Sequence, residues 1–244
     1  MLNRVLVVGL LAGLVAGLAV AVLQHFTTTP LILAAETYET AGKTAALAGP
    51  DFGGARIVLA HTGHEPVAGA EAEGWKPEDG LARTFFTGLT TVVSAIGFAL
   101  VLLAGMIAAG DEIDARRALA WAAAAFLATG LAPALGLAPE LPGAAAGPLV
   151  ARQAWWVATA VATAASLWLF LRTEAAWAKV LAALLLVAPH AVGAPHPAGF
   201  ESRVPAELAA QFAARSLAVQ AALWLLTGLA VGLIWTRFAR RVAA

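Results

Sequence analysis

VLVVGLLAGLVAGLAVAVL, residues 5–23, holds no charged side chain and nothing more polar than glycine. The hydrocarbon core of a bilayer is about 30 Å thick, and a helix needs roughly 20 apolar residues to cross it. In lipid, backbone N–H and C=O groups must be satisfied within the protein, so a lone stretch of this kind is a helix. Gly9, Gly13 and Gly17 recur every fourth residue, which puts them on one face where a second helix can approach closely. Arg4 precedes the run and Ala19-Val20-Ala21 resembles a leader cleavage site. The run is longer than the roughly 7–15-residue core of a signal peptide, so the segment reads as a retained span.

Working outward, five more stretches have the same character: 84–109, 118–137, 154–171, 175–192 and 216–235. The only Lys, Arg, Asp or Glu in any of them is Lys179, near the start of the fifth, where its long stem can carry the ammonium to the interface. Composition agrees. Apolar residues make up 61% of the 244 and charged ones 12%, against about 25% charged in a water-soluble domain; too few charges remain to build a hydrated surface. The alternating pattern of a membrane β-barrel is missing. The sequence therefore predicts an all-α integral membrane protein of six transmembrane helices. Residues 1–244 form a single membrane domain with one long loop, about 26–83, holding a short helix near 32–47. Gly228 and Gly232 repeat the small-residue spacing in the last span.

Charge sets the orientation. Arg4, Arg116, Arg117, Arg172, Lys179, Arg237, Arg240 and Arg241 lie on the N-terminal side in short segments, while acidic residues gather on the other side. Short basic segments stay in the cytoplasm, so both termini are expected there, in a bacterial-type inner membrane. Three outer segments share a pattern. Pro30 with Glu36 leads to Arg83-Thr84, Pro139 with Glu140 to Arg152-Gln153, and Pro205 with Glu207 to Arg215-Ser216. Three helical hairpins repeated in the same orientation would produce it, and so would arginines that simply cap membrane interfaces.

Net charge is zero and no basic excess points to nucleic acid. The chain has no cysteine, which removes disulfides, thiolate metal sites and cysteine catalysis. Gly42-Lys43-Thr44 lacks the earlier glycine of a phosphate-binding loop, since position 37 is Thr37. No Ser-His-Asp or HExxH pattern occurs, so no enzyme is expected and no cofactor is called for.

The chemistry that remains lies at the outer end, where all five histidines fall. His190 follows Pro189 at the end of the fifth span, with His196 just beyond in Pro195-His196-Pro197. Proline interrupts the helical ladder, and an imidazole there either binds a divalent metal, relays protons, or sits inert at headgroup level. Glu140 stands between Pro139 and Pro142, ahead of Arg152, Gln153, Trp155 and Trp156; it is either a ligand or the partner of Arg152. His25 with Glu36 and Glu39 offers the mixed nitrogen and oxygen donors that suit cobalt, nickel or zinc. His61-Thr62-Gly63-His64-Glu65 is a weaker cluster in the long loop. Thr159, Thr163 and Ser166 share a helix face and either bond helices together or line a path, as do Thr87, Thr90, Thr91 and Ser94.

The glycine-rich opening helix running into Gln24-His25 and then Pro30-Leu31-Ile32-Leu33-Ala34-Ala35-Glu36 resembles the start of CbtA, the probable cobalt transporter subunit. Pro139-Glu140-Leu141-Pro142-Gly143, Arg152-Gln153 with Trp155-Trp156, and Pro189-His190 with Gly193-Ala194-Pro195 continue the resemblance in order along nearly the whole chain. It implies an integral membrane protein that supplies cobalt for cobalamin synthesis together with CbtB, a small histidine-containing membrane partner. The residues it marks are His25, Glu36, Glu140, Arg152, Gln153 and His190. The expected function is uptake of a divalent cation, cobalt, captured by His25, Glu36, Glu140, His190 and His196 with Arg152 and Gln153 in support. A non-transporting accessory subunit is the second reading and an intramembrane enzyme the third.

Overall fold

The computed structural model describes residues 1–47, 77–78, 80–199 and 202–242, with the side chains of 39–47 and 239–242 excluded. The described residues form seven helices and no strand. They are α1 (Leu2–Thr27), α2 (Thr29–Leu47), α3 (Leu81–Ala108), α4 (Ala115–Ala134), α5 (Leu149–Arg172), α6 (Ala176–Val192) and α7 (Ala206–Val242). Five are long and apolar enough to cross a membrane: α1, α3, α4, α5 and most of α7. The sixth apolar helix, α6, is shorter at 17 residues. Bulky side chains such as Leu10, Leu14, Val101, Val161, Leu184 and Val187 point out of the bundle. An apolar surface this continuous is stable only where lipid covers it.

Two glycine ladders organise the core. A Cβ added to Gly13 would overlap the backbone of Ile96, and one on Gly17 would lie 2.6 Å from Val92 Cα. The first ladder therefore seats α1 against α3 backbone to backbone. On α7, a Cβ at Gly228 would meet the Ala118 carbonyl oxygen at 2.7 Å, and Gly232 abuts Ala115 in the same way. The second ladder seats α7 against α4. Helix α7 also packs along α1, so α1, α3, α4 and α7 make one unit. Its dry interior is built by Val8, Ala12, Leu103, Met106, Ala118, Ala122, Trp224 and Val231.

Helices α5 and α6 form an antiparallel hairpin packed on itself, with Ser166 donating to the Ala182 carbonyl at 2.7 Å. The hairpin meets the rest mainly along the second half of α4. The packing of the three expected hairpins is uneven. The first (α1, α3) is paired along its length, the second (α4, α5) is joined mostly past the middle of α4, and α6 packs on α5 instead of α7.

The helix ends follow local rules. Gly110, at φ 71°, closes α3, and the Asp111 N–H returns to the Met106 carbonyl at 3.0 Å. Asp114 caps α4 by accepting the Arg117 backbone N–H at 2.9 Å. Arg4 lies over the Trp235 ring and donates to the Trp235 carbonyl at 2.8 Å, joining the start of α1 to the end of α7. The last helix begins ten residues before the expected span at 216. With 37 residues it is about 55 Å long at 1.5 Å per residue, so its first turns project past the bilayer on the end opposite Arg4.

Candidate functional site

That opposite end carries the residues singled out by chemistry. Thr28 alone separates α1 from α2, and Pro30 lies in the first turn of α2, so the first span bends directly into the helix that takes in the one expected near 32–47. Ala35 of this segment is buried with Leu141, from the connection after α4, and Val204, just before α7. Ile32, Leu208 and Phe212 close over them. One residue from each of the three proline-bearing segments thus meets in a small apolar cluster.

The carboxylates beside this cluster are held by arginines. Arg83, at the start of α3, engages both oxygens of Glu36, one of them at 2.8 Å. Arg152, in the first turn of α5, donates to Glu140 at 2.6 Å, the pair expected from the sequence. The third arginine departs from the pattern: Arg215 reaches the Thr27 carbonyl at 3.3 Å. His25 is exposed in the last turn of α1, its ring edge-on to Phe26. His190, in the last turn of α6, is half-buried against the Trp155 indole at 5.9 Å between ring centres. Trp155 Nε1 donates to the Pro189 carbonyl at 3.1 Å, and the helix continues through Pro189 to Val192 without the expected break. His196 is exposed, and its carbonyl carbon would lie 3.2 Å from a Cβ on Gly147, so the connections before α5 and after α6 touch there. Among the described residues no three His, Asp or Glu side chains converge as a metal cluster. His61, His64, Glu65 and the side chain of Glu39 lie outside the described residues.

Of the mild polar residues of α3 and α5, Thr91 and Ser166 bond a neighbouring helix, while Thr90 and Thr159 bond back to their own helix at Phe86 and Trp155. Thr159, Thr163 and Ser166 are buried, at 4% exposure or less, and Ser166 bonds α6. Thr91 donates to Gln24 of α1 at 2.7 Å. Thr91, Thr159, Thr163 and Ser166 are closed off in the packed interior, whereas Thr87, Thr90 and Ser94 of α3 are exposed.

The open space lies elsewhere. A groove of about 680 Å³ runs between α4, α5 and α7, lined at one end by Pro139, Glu140, Arg152 and Gln153 and further along by Thr129, Gly130, Ala134 and Gln220. Its origin is Pro133. Proline has no N–H to give to the carbonyl four residues back, here Thr129. Residues Leu127–Leu131 relax into a π turn, with the Ala132 N–H reaching the Leu127 carbonyl five residues back. Gln220 Nε2 approaches the Thr129 carbonyl at 3.5 Å, and Trp224 Nε1 donates to the Thr129 hydroxyl at 3.2 Å. Gly130 faces Gln220 Oε1, which a Cβ would crowd to 2.9 Å. Pro133 and Gln220 lie in the apolar stretches 118–137 and 216–235; that they come together depends on how α4 and α7 cross.

Lipid-facing helices around a mostly apolar groove with a few polar groups define a helical membrane protein. The family model of CbtA, described as a probable cobalt transporter subunit, matches residues 2–236, nearly the whole chain, and the protein belongs to that family. No curated protein and no solved structure matches the chain.

Proposed function

We propose that this protein is the membrane subunit through which a divalent transition-metal cation, cobalt, is taken up for cobalamin supply. In this reading six helices span the inner membrane, α6 among them, with both termini in the cytoplasm. The observation that carries it, beside family membership, is the groove: it joins the Glu140–Arg152 end of the bundle to polar groups deep within α4 and α7. His25, Glu36, Glu140, His190 and His196 receive the ion at the outer end, supported by Arg152 and Gln153. Their donors stand in ones and twos on separate outer segments, so a small histidine-containing partner of the CbtB kind completes the ligand set. Arg83 and Arg152 keep the carboxylates neutralised until a cation displaces them, which suits permeation, where binding must be firm enough to enter and weak enough to leave. The meeting of Ala35, Leu141 and Val204 supports three related hairpins that share one outer mouth.

The test is cobalt uptake by vesicles that hold the full chain alone, then with the partner. Flux in either case supports the proposal, and replacement of both His25 and His190 by alanine should remove it without harming membrane insertion. The engagement of Glu36 and Glu140 by arginines favours a second reading, a non-transporting accessory subunit; absence of flux in both vesicle preparations would select it.

A further inference from the structure

We propose that the π turn of α4 and Gln220 of α7 form an intramembrane station for the partly hydrated divalent cation, held by neutral oxygens. The inference rests on the uptake reading above and locates a site within it.

Four observations meet at one place. The Thr129 carbonyl cannot be capped by Pro133, and the contact it receives from Gln220 Nε2 is at the outer limit of a hydrogen bond, 3.5 Å. Gln220 Oε1 is turned onto Gly130, where the missing side chain leaves room for it. The Thr129 hydroxyl is already used twice, donating to the Ala125 carbonyl at 2.8 Å and accepting from Trp224. The groove opens onto these groups, and 680 Å³ is room for an ion with much of its water.

A spanning helix tolerates proline when neighbours satisfy the freed carbonyl; here the side-chain contact to the Thr129 carbonyl, from Gln220, is weak at 3.5 Å and the groove reaches the same residues. Broken helices that offer freed carbonyls to cations at repeat interfaces are a known transporter arrangement. Amide and carbonyl oxygens replace a few waters without the grip of a carboxylate, and a cation held so weakly can leave. Arg152 at the mouth is neutralised by Glu140, so the groove is not closed to a cation by a bare positive charge.

The experiment reconstitutes the full chain in vesicles, with Co²⁺ as the probe. Because the protein has no cysteine, Ala134→Cys places a single thiol on the groove wall, and an impermeant thiol reagent applied at the outer face reports whether water reaches it. The thiol should react, Co²⁺ should slow the reaction, and Gln220→Leu should remove the slowing. Gln220→Leu should also lower initial Co²⁺ uptake roughly tenfold or more, the scale on which metal sites respond to loss of one contact. An unreactive thiol, or uptake unchanged by Gln220→Leu, overturns the station. If the unaltered chain shows no uptake either alone or with the partner, the uptake reading fails by itself; protection of the thiol by Co²⁺ that depends on Gln220 then still supports the station, and its absence overturns it.

Discussion

Arg172, at the end of α5, donates to the carboxylate of Asp111, 61 residues earlier in the chain, with one bond at 3.1 Å. Trp121 Nε1 adds a third bond to the same group at 2.7 Å, and Arg172 lies over the Trp168 ring. This clasp fastens the α5–α6 hairpin to the helical unit at the end where the chain begins, as Arg152 and Glu140 do at the other.

The hydrogen bonds from Arg172 and Trp121, with the charges of Arg172 and Arg117, hold the Asp111 carboxyl below its usual range against the opposing effect of burial. A carboxylate with a depressed folded-state pKa stabilises the fold above its ordinary value of about 3.9, and that contribution disappears as pH falls through the lowered value. Thermal stability of the detergent-solubilised protein should therefore lose the clasp's share only in strong acid. Asp111→Asn should be less stable than the unaltered chain at neutral pH and should converge on it at low pH. Parallel pH profiles for the two would rule out the clasp as the source.

The glycine ladders predict a contrast between two similar substitutions. Gly13→Ala puts a methyl group into the Ile96 backbone, and overpacking of this kind costs about 1–3 kcal/mol. Gly97→Ala, on the facing helix, meets nothing within 4 Å and should be neutral or gain up to about 1 kcal/mol of helix propensity. Melting temperatures of the two variants decide the matter; equal effects would mean that α1 and α3 do not cross at Gly13.

Exchange of partners separates the two roles open to Glu140. Glu140→Gln and Arg152→Gln should each cost roughly 1 kcal/mol, because the pair is partly exposed and such pairs are weak. The reversed pair, Glu140→Arg with Arg152→Glu, should recover much of that loss. Should the carboxylate only brace the loop, the reversed pair will also recover cobalt uptake; a stable variant without uptake shows that the position of the carboxylate itself matters to the ion.

Pro133→Ala restores the N–H that the Thr129 carbonyl lacks, and a continuous α-helix should then replace the π turn. Stability should rise, since proline inside a helix is unfavourable by about 3 kcal/mol relative to alanine. Uptake should fall as the groove loses its polar floor. A variant that is both more stable and fully active would show that the break serves no purpose in transport.

Much of this architecture is legible in composition and spacing, because lipid imposes a strong rule on anything that crosses it. Residues 84–109 became Leu81–Ala108, and the four-residue glycine spacings became the two closest helix crossings. The Glu140–Arg152 pair could be read because few residues separate its members. The Glu36–Arg83 pair could not, although both residues had been singled out, since a long loop intervenes and no periodicity links them. The groove was the harder case. Pro133 announces a break in α4, but the direction in which the freed carbonyl points, and the arrival of Gln220 beside it, follow from the Gly228 and Gly232 crossing. That Ser166 bonds α6 was equally a matter of which face α6 takes.

The brevity of α6 reaches beyond the protein. Seventeen residues give about 25 Å of helix, short of the roughly 30 Å hydrocarbon thickness. Carried across the membrane as we propose, the helix must draw the two leaflets together around the hairpin, at a modest cost for each ångström of mismatch. Acyl-chain length then becomes a control on the protein: thin bilayers should relax the hairpin, and thick ones should strain it at the clasps on either end of α5.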